Sequence, residues 1–199
     1  MSFSPVIDEL TARLKVLPGI GPKLAAKLAL YLVRDGKLQA MSLVDALAQA
    51  LASIQQCEQC FTLSETSLCH LCADQQRDQK LVAVVAQPDD QQQLELTGKF
   101  FGRYFVLNGL LSPIDGIGPE QLKIPQLMAQ AKAQHWQEVI LALPMNPDAQ
   151  ATAALIAGLL QPLGIKVSQL AQGMPSNLSL SQVDALTLEH SLSSRREWL

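Results

Sequence analysis

Four cysteines, Cys57-Glu-Gln-Cys60 and Cys69-His-Leu-Cys72, constrain this chain more than any other feature. Two residues inside each pair hold the thiols on tight knuckles, and eight residues between the pairs let the knuckles face each other. Such spacing builds a tetrahedral site for one Zn2+ ion per chain, bound by four thiolates. Protein fills all four positions and leaves none open to water or substrate, so the ion is expected to be structural. A redox dithiol is the competing reading of a single Cys-x2-Cys unit, and two adjacent units argue against it. His70 is the rival ligand and is redundant beside four thiols.

The region before the cysteines reads as helical. Val6, Ile7, Leu10, Leu14 and Leu17 recur at steps of three and four, predicting an amphipathic helix over 5–17. Leu17-Pro-Gly-Ile-Gly-Pro22 must end it; Pro22 suits the first turn of a second helix, which Leu24, Leu28 and Leu32 carry to about Arg34. A third helix follows, with Ser42 and Asp45 as a capping pair and Leu43, Leu47, Leu51 and Ile54 as its buried stripe. The turn between the first two helices matches a helix-hairpin-helix. Gly19 and Gly21 allow crowded or left-handed backbone, so that N–H groups at the start of the second helix can grip a phosphate, with Ile20 anchoring the hairpin. Lys23, Lys27 and Arg34 fall on one helical stripe.

A net charge of −3 excludes a uniformly basic nucleic-acid binder, yet phosphate affinity is local. Residues 10–34 hold Arg13, Lys15, Lys23, Lys27 and Arg34 with no acid, whereas residues 81–199 carry seven bases against ten acids. Gly116-Ile-Gly-Pro119 repeats the hairpin tetrapeptide between Asp115 and Glu120, which would repel a phosphate; that copy reads as structural. The bland alternative for the first copy is a helical turn with a solvated lysine face. Contacts to phosphates would give DNA binding without sequence preference.

Beyond the hydrophilic stretch 73–80 the pattern changes. Apolar runs at 81–85, 104–107, 139–143 and 165–170 read as strands, and 90–96, 120–133 and 149–160 as helices between them. That alternation predicts an α/β domain with a parallel sheet and crossover helices. No run of eighteen apolar residues occurs and the N-terminus lacks a signal-peptide pattern, so a cytoplasmic protein without membrane contact is expected.

The order of hairpin, four-cysteine motif and small α/β domain resembles the RecR family of recombination mediators. The most specific support is Thr97-Gly98 followed by Gly102-Arg-Tyr-Phe-Val-Leu-Asn-Gly-Leu-Leu-Ser-Pro-Ile-Asp-Gly-Ile-Gly-Pro119, with Val139–Ala142, Ala151–Ala153 and His190–Leu192 as weaker support. The resemblance implies a helix-hairpin-helix region at 1–56, a zinc motif at 57–72, a Toprim domain at 80–175 and a C-terminal segment at 176–199. It further implies a homo-oligomeric ring around DNA, a RecO partner, RecF in some organisms, and assistance to RecA loading on single-stranded DNA.

Catalytic Toprim domains hold magnesium on a glutamate after the first strand and on clustered acids after a later one. Here the first position is Ala86, and the later segment, Pro144–Gln150, offers Asp148 alone; Asp89 and Asp90 read as a capped helix start. A non-catalytic scaffold is therefore expected. The rivals are a Toprim-type metal-dependent DNA-processing enzyme, a hairpin-bearing glycosylase, for which no catalytic lysine or aspartate is evident, and a zinc-dependent protein-interaction module.

Overall fold

The computed structural model describes residues 4–171 and 179–193, in two compact units that divide after Ile54. The first unit is helical: α1 (Pro5–Lys15), α2 (Pro22–Arg34) and α3 (Lys37–Ser53). Ser4 caps α1 by accepting from the Val6 N–H, and prolines occupy the first turns of α1 and α2, where a missing N–H costs nothing. α1 packs along α2, whose fully buried residues are Ala25 and Ala29.

α3 departs from the expectation in two ways. It begins at Lys37, so Ser42 lies inside the helix and caps nothing. The cause is local: Gly36 is buried against the Tyr31 ring and feeds directly into the helix. Leu43, Leu47, Leu51 and Ile54, expected to be buried, are exposed, Leu47 at 56% and Leu51 at 77%. Leu38, Met41 and Val44 are exposed as well, and α3 contains no buried residue. Periodicity reports that a helix face is apolar; it does not report what covers that face.

In the second unit, β1 (Gln55–Gln56) pairs antiparallel with β2 (Leu63–Ser64), and a short α4 (His70–Ala73) carries the last cysteine. Then come β3 (Asp78–Val85), α5 (Pro88–Leu96), β4 (Gly102–Val106), α6 (Ile124–Ala133), β5 (Glu138–Ala142), α7 (Pro147–Leu160), β6 (Lys166–Gln169) and α8 (Ala185–Ser193). Four of these strands form one wholly parallel sheet in the order β4-β3-β5-β6, the α/β architecture that the alternation predicts. β3 starts three residues earlier than its apolar run because Asp78–Lys80 are exposed and carry no hydrophobic signal. α6 starts four residues later than expected. Lys123 adopts left-handed backbone (φ 56°), which breaks the helical path after Glu120.

Both faces of the sheet are covered, and the pleat sorts the side chains between them. Val82, Val84, Phe105, Val139 and Leu141 pack with Leu127 of α6 and with Ile156 and Leu160 of α7. Ala83, Val85, Tyr104, Val106 and Ala142 face the other way and pack against the four cysteines. The cysteine segment thus forms a layer of the α/β core. Among the described residues no helix is long and apolar enough to cross a membrane.

Candidate metal centre and nucleic-acid interface

Backbone hydrogen bonds close each knuckle. Cys57 N–H donates to Thr62 O at 2.8 Å and Phe61 N–H to Cys57 O at 3.0 Å, while Ala73 N–H donates to Cys69 O at 2.9 Å. The knuckles meet where Cys69 N–H donates to Cys57 Sγ at 3.3 Å and Cys60 Sγ lies 3.5 Å from Cys69 Sγ. All four cysteines are buried and their sulfurs lie within 4.8 Å of one another. A tetrahedron with Zn–S bonds of about 2.3 Å has S–S edges of about 3.8 Å, so the cluster has the size and the soft donors that zinc requires. His70 is exposed and lies outside the cluster.

The crowding of four buried sulfurs shows why a cation belongs there. Hydrogen bonds from Cys60 and Cys72 hold the Cys69 thiol below its ordinary range, while the contact with Cys69 pushes Cys60 upward and the contacts with Cys60 and Cys69 push Cys72 upward. One thiolate stabilised by its neighbours' protons suppresses a second. Four thiolates together require a metal ion to offset their repulsion.

The first knuckle ends in a strained residue. Phe61 holds left-handed backbone (φ 64°), a conformation costing a non-glycine residue about 1–2 kcal/mol. Its ring offsets that cost by packing edge-on to Phe105 with centroids 5.1 Å apart, and Lys123 Nζ sits 4.1 Å above it.

The segment beginning at β4 clamps this module. Val106 N–H donates to Cys60 O at 2.8 Å, Asn108 Nδ2 to Phe61 O at 3.1 Å, and Arg103 Nη1 to Leu71 O and Cys72 O at 2.9 and 2.6 Å. Arg77, 10% exposed, donates two hydrogen bonds to Glu95 at 2.9 and 2.5 Å, and Tyr104 Oη donates to Glu95 Oε1 at 2.6 Å. Burial pushes the Glu95 carboxyl upward, but Arg77 and Tyr104 outweigh it and hold the group below the usual range. Burial and the Glu95 carboxylate raise Tyr104, which keeps its phenol a donor. Sequence patterns assigned Arg103, Tyr104 and Asn108 no role. A charged residue inside the otherwise apolar run 102–107 is the signal that could have flagged Arg103.

In the helical unit, Gly19 takes left-handed backbone (φ 78°) and Gly21 is the extended N-cap of α2, with nothing within 4 Å of the space a side chain would fill at either position. Ile20 is half-buried, and its N–H closes the turn on Leu17 O at 3.1 Å. The first turn of α2 contains no acid, and Lys23 and Lys27 stand exposed on its leading half. Arg34 is at the other end of α2, about 16 Å along the axis from Lys23 at about 1.5 Å per residue, and is held by Asp35 at 2.8 Å. The structure therefore groups Gly19, Gly21, Lys23 and Lys27 and sets Arg34 apart.

Comparison with known proteins follows the same order along the chain. The RecR helix-hairpin-helix family matches residues 7–51, the RecR zinc finger domain with four cysteines matches residues 54–74, and the Toprim domain matches residues 80–171. The Recombination protein RecR of Stutzerimonas stutzeri (strain A1501) is 44% identical over 196 residues, 98% of this chain and 98% of that protein. The chain belongs to the RecR family. Its four-cysteine module is accordingly a zinc site, with Cys57, Cys60, Cys69 and Cys72 as the donor set.

In this RecR-family chain the carboxyl edge of the sheet carries the positions at which acids would be expected of a catalytic Toprim domain. Ala86 is buried after β3, and Asp90 accepts from the Gln87 N–H at 2.9 Å in a capping box that starts α5. Asp148 lies in the first turn of α7, behind an Asn146 cap that accepts from Ala149 N–H at 2.8 Å. A cavity of about 280 Å³ opens nearby, bounded by Asp90, Gln93, Leu94, Leu143, Pro144 and Leu170. The repeat Gly116–Pro119 forms a turn in which Ser112 and Ile117 pair and Ser112 Oγ donates to Asp115.

Proposed function

We propose that this RecR-family chain is a non-catalytic DNA-binding scaffold of recombinational repair. The observation that carries the reading is the left-handed turn at Gly19, which delivers an acid-free helix start with Lys23 and Lys27 beside it. Early N–H groups of a helix have no partners within it, and with the helix dipole and two ammonium groups they favour a phosphate oxygen. Such contacts ignore base identity. Arg34 adds to the same stripe when a phosphate displaces Asp35.

One hairpin offers few phosphate contacts, so binding at useful affinity requires several chains. The exposed apolar surface of α3 supports assembly into a homo-oligomer, and a ring threaded by DNA meets both requirements. Within that assembly the Toprim surfaces recruit RecO-like and, where present, RecF-like proteins, and the complex assists RecA loading on single-stranded DNA. The use of Asp90 as a cap and the alanine at position 86 support a scaffold without phosphoryl chemistry. Reduced thiols at the zinc centre fit a cytoplasmic location.

The test is a mobility-shift titration over a salt series, comparing the zinc-loaded protein with Lys23→Ala/Lys27→Ala. The double variant is expected to bind all sequences more weakly and to flatten the log–log salt slope by roughly 0.7–0.9 per lost contact. An unchanged slope in a correctly folded double variant places the DNA site elsewhere.

A further inference from the structure

We propose that Arg103 is the counter-charge of the zinc centre: its buried guanidinium, fixed on the carbonyls of the second knuckle, offsets the net negative charge of the metal-bound thiolates. Arg103 is 6% exposed and sits in β4 within the core of the second unit. Its Nη1 donates to Leu71 O and Cys72 O, the latter the carbonyl of a metal ligand, and its Nε is buried without a hydrogen-bond partner.

An arginine keeps its proton in a protein, so this site carries a full positive charge in the interior. Buried cations persist when an anion is close. Among the described residues no carboxylate pairs with Arg103. Arg77, which donates to Gly102 O just before it, takes both Glu95 and Asp74. The other anion of this layer is the cysteine cluster itself. Four thiolates and one Zn2+ sum to a charge of about −2, enclosed with Ala83, Val85, Tyr104 and Val106. Each buried charge therefore supplies what the other lacks. The two carbonyl bonds hold the guanidinium beside the second knuckle and withhold it from solvent.

A strap that merely pins α4 to β4 through hydrogen bonds is the alternative, and conservative variants separate the two. Arg103→Lys keeps the charge and loses the planar fork; Arg103→Gln keeps an N–H donor for the carbonyls and loses the charge. The measurement is the rate at which a chelator in excess withdraws zinc from the full zinc-loaded chain, together with the sulfur-to-metal charge-transfer band of the cobalt-loaded protein. Arg103→Gln is expected to release zinc about 10–100 times faster than the parent, the usual effect of losing a group that supports metal ligands, and to shift the cobalt band. Arg103→Lys is expected to stay within about tenfold of the parent and to keep the band. Release from Arg103→Gln at the parent rate, or from Arg103→Lys as fast as from Arg103→Gln, overturns the proposal. Should Arg103→Gln not be recovered folded, the lysine variant alone decides: release within about tenfold of the parent supports the counter-charge, and faster release overturns it.

Discussion

Two glycine-to-alanine substitutions in the second unit should move stability in opposite directions. At Gly102 an added methyl would overlap the Leu81 carbonyl oxygen and lie 2.6 Å from the Phe100 ring. The ring can turn away, but the carbonyl cannot retreat, because Leu81 is in register with Glu138 on the far side of β3. β4 must shift instead, carrying Arg103 and the zinc knuckle with it. Overpacking of this kind costs about 1–3 kcal/mol, and the backbone clash places Gly102→Ala near the upper end. At Gly158, inside α7, nothing lies within 4 Å of the added methyl, so alanine should contribute about 0.5–1 kcal/mol of helix propensity. For a unit of this size each kcal/mol moves Tm by about 2–4 °C. Gly102→Ala should therefore melt about 6–12 °C lower and Gly158→Ala about 1–4 °C higher. The assay is thermal and urea unfolding of the zinc-loaded protein, followed by the fluorescence of buried Trp136 in a Trp198→Phe background. If Gly102→Ala melts within about 2 °C of its parent, the close approach of β4 to β3 is wrong.

The remaining predictions concern charge, metal and assembly. A carboxylate whose folded pKa lies below its unfolded value stabilises the fold above about pH 4.3, and that contribution fades as pH falls through the folded pKa. Glu95→Gln should thus lower stability at pH 7 and converge on the parent as pH falls below the ordinary carboxylate range, as urea melts across the acidic limb will show. A constant difference at every pH would mean that Glu95 acts through packing. Cys60→Ala should lose stoichiometric zinc by elemental analysis and with it much of the metal's binding free energy, on the order of 10 kcal/mol. Leu47→Glu with Leu51→Glu should convert an oligomer into monomers in light scattering while the helical content stays constant; an unchanged mass would show that α3 faces no second copy.

The placement of the cysteine cluster explains how so short a segment becomes ordered. Residues 57–72 have no hydrophobic core of their own. The cysteines use the face of the parallel sheet opposite α6 and α7, where Ala83 and Ala142 leave room for sulfur, while Phe61 reaches Phe105 on the other face. Zinc then closes a loop already pinned by Val106, Asn108, Arg103 and Gln130, the last donating to Gln59 O at 2.8 Å.

Sequence by itself determined whatever depends on neighbours along the chain. Cys-x2-Cys spacing predicts a knuckle because the turn is local; prolines at 5 and 22 fix φ, and a glycine at 19 permits the left-handed turn. The same holds for the alternating strands and helices, whose boundaries moved where polar strand ends gave no hydrophobic signal, where Pro88 and Pro147 open helices ahead of the apolar pattern, and where Lys123 turns left-handed. Tertiary structure decided what depends on which surfaces meet. It joined the zinc module to the sheet, gave Arg103, Tyr104 and Asn108 their partners, and left the apolar residues of α3 in solvent. The physical reason is range. A dihedral preference or a thiol spacing acts over a few residues, whereas a buried charge or an apolar face finds its partner through folding or assembly, across separations that a linear pattern does not encode.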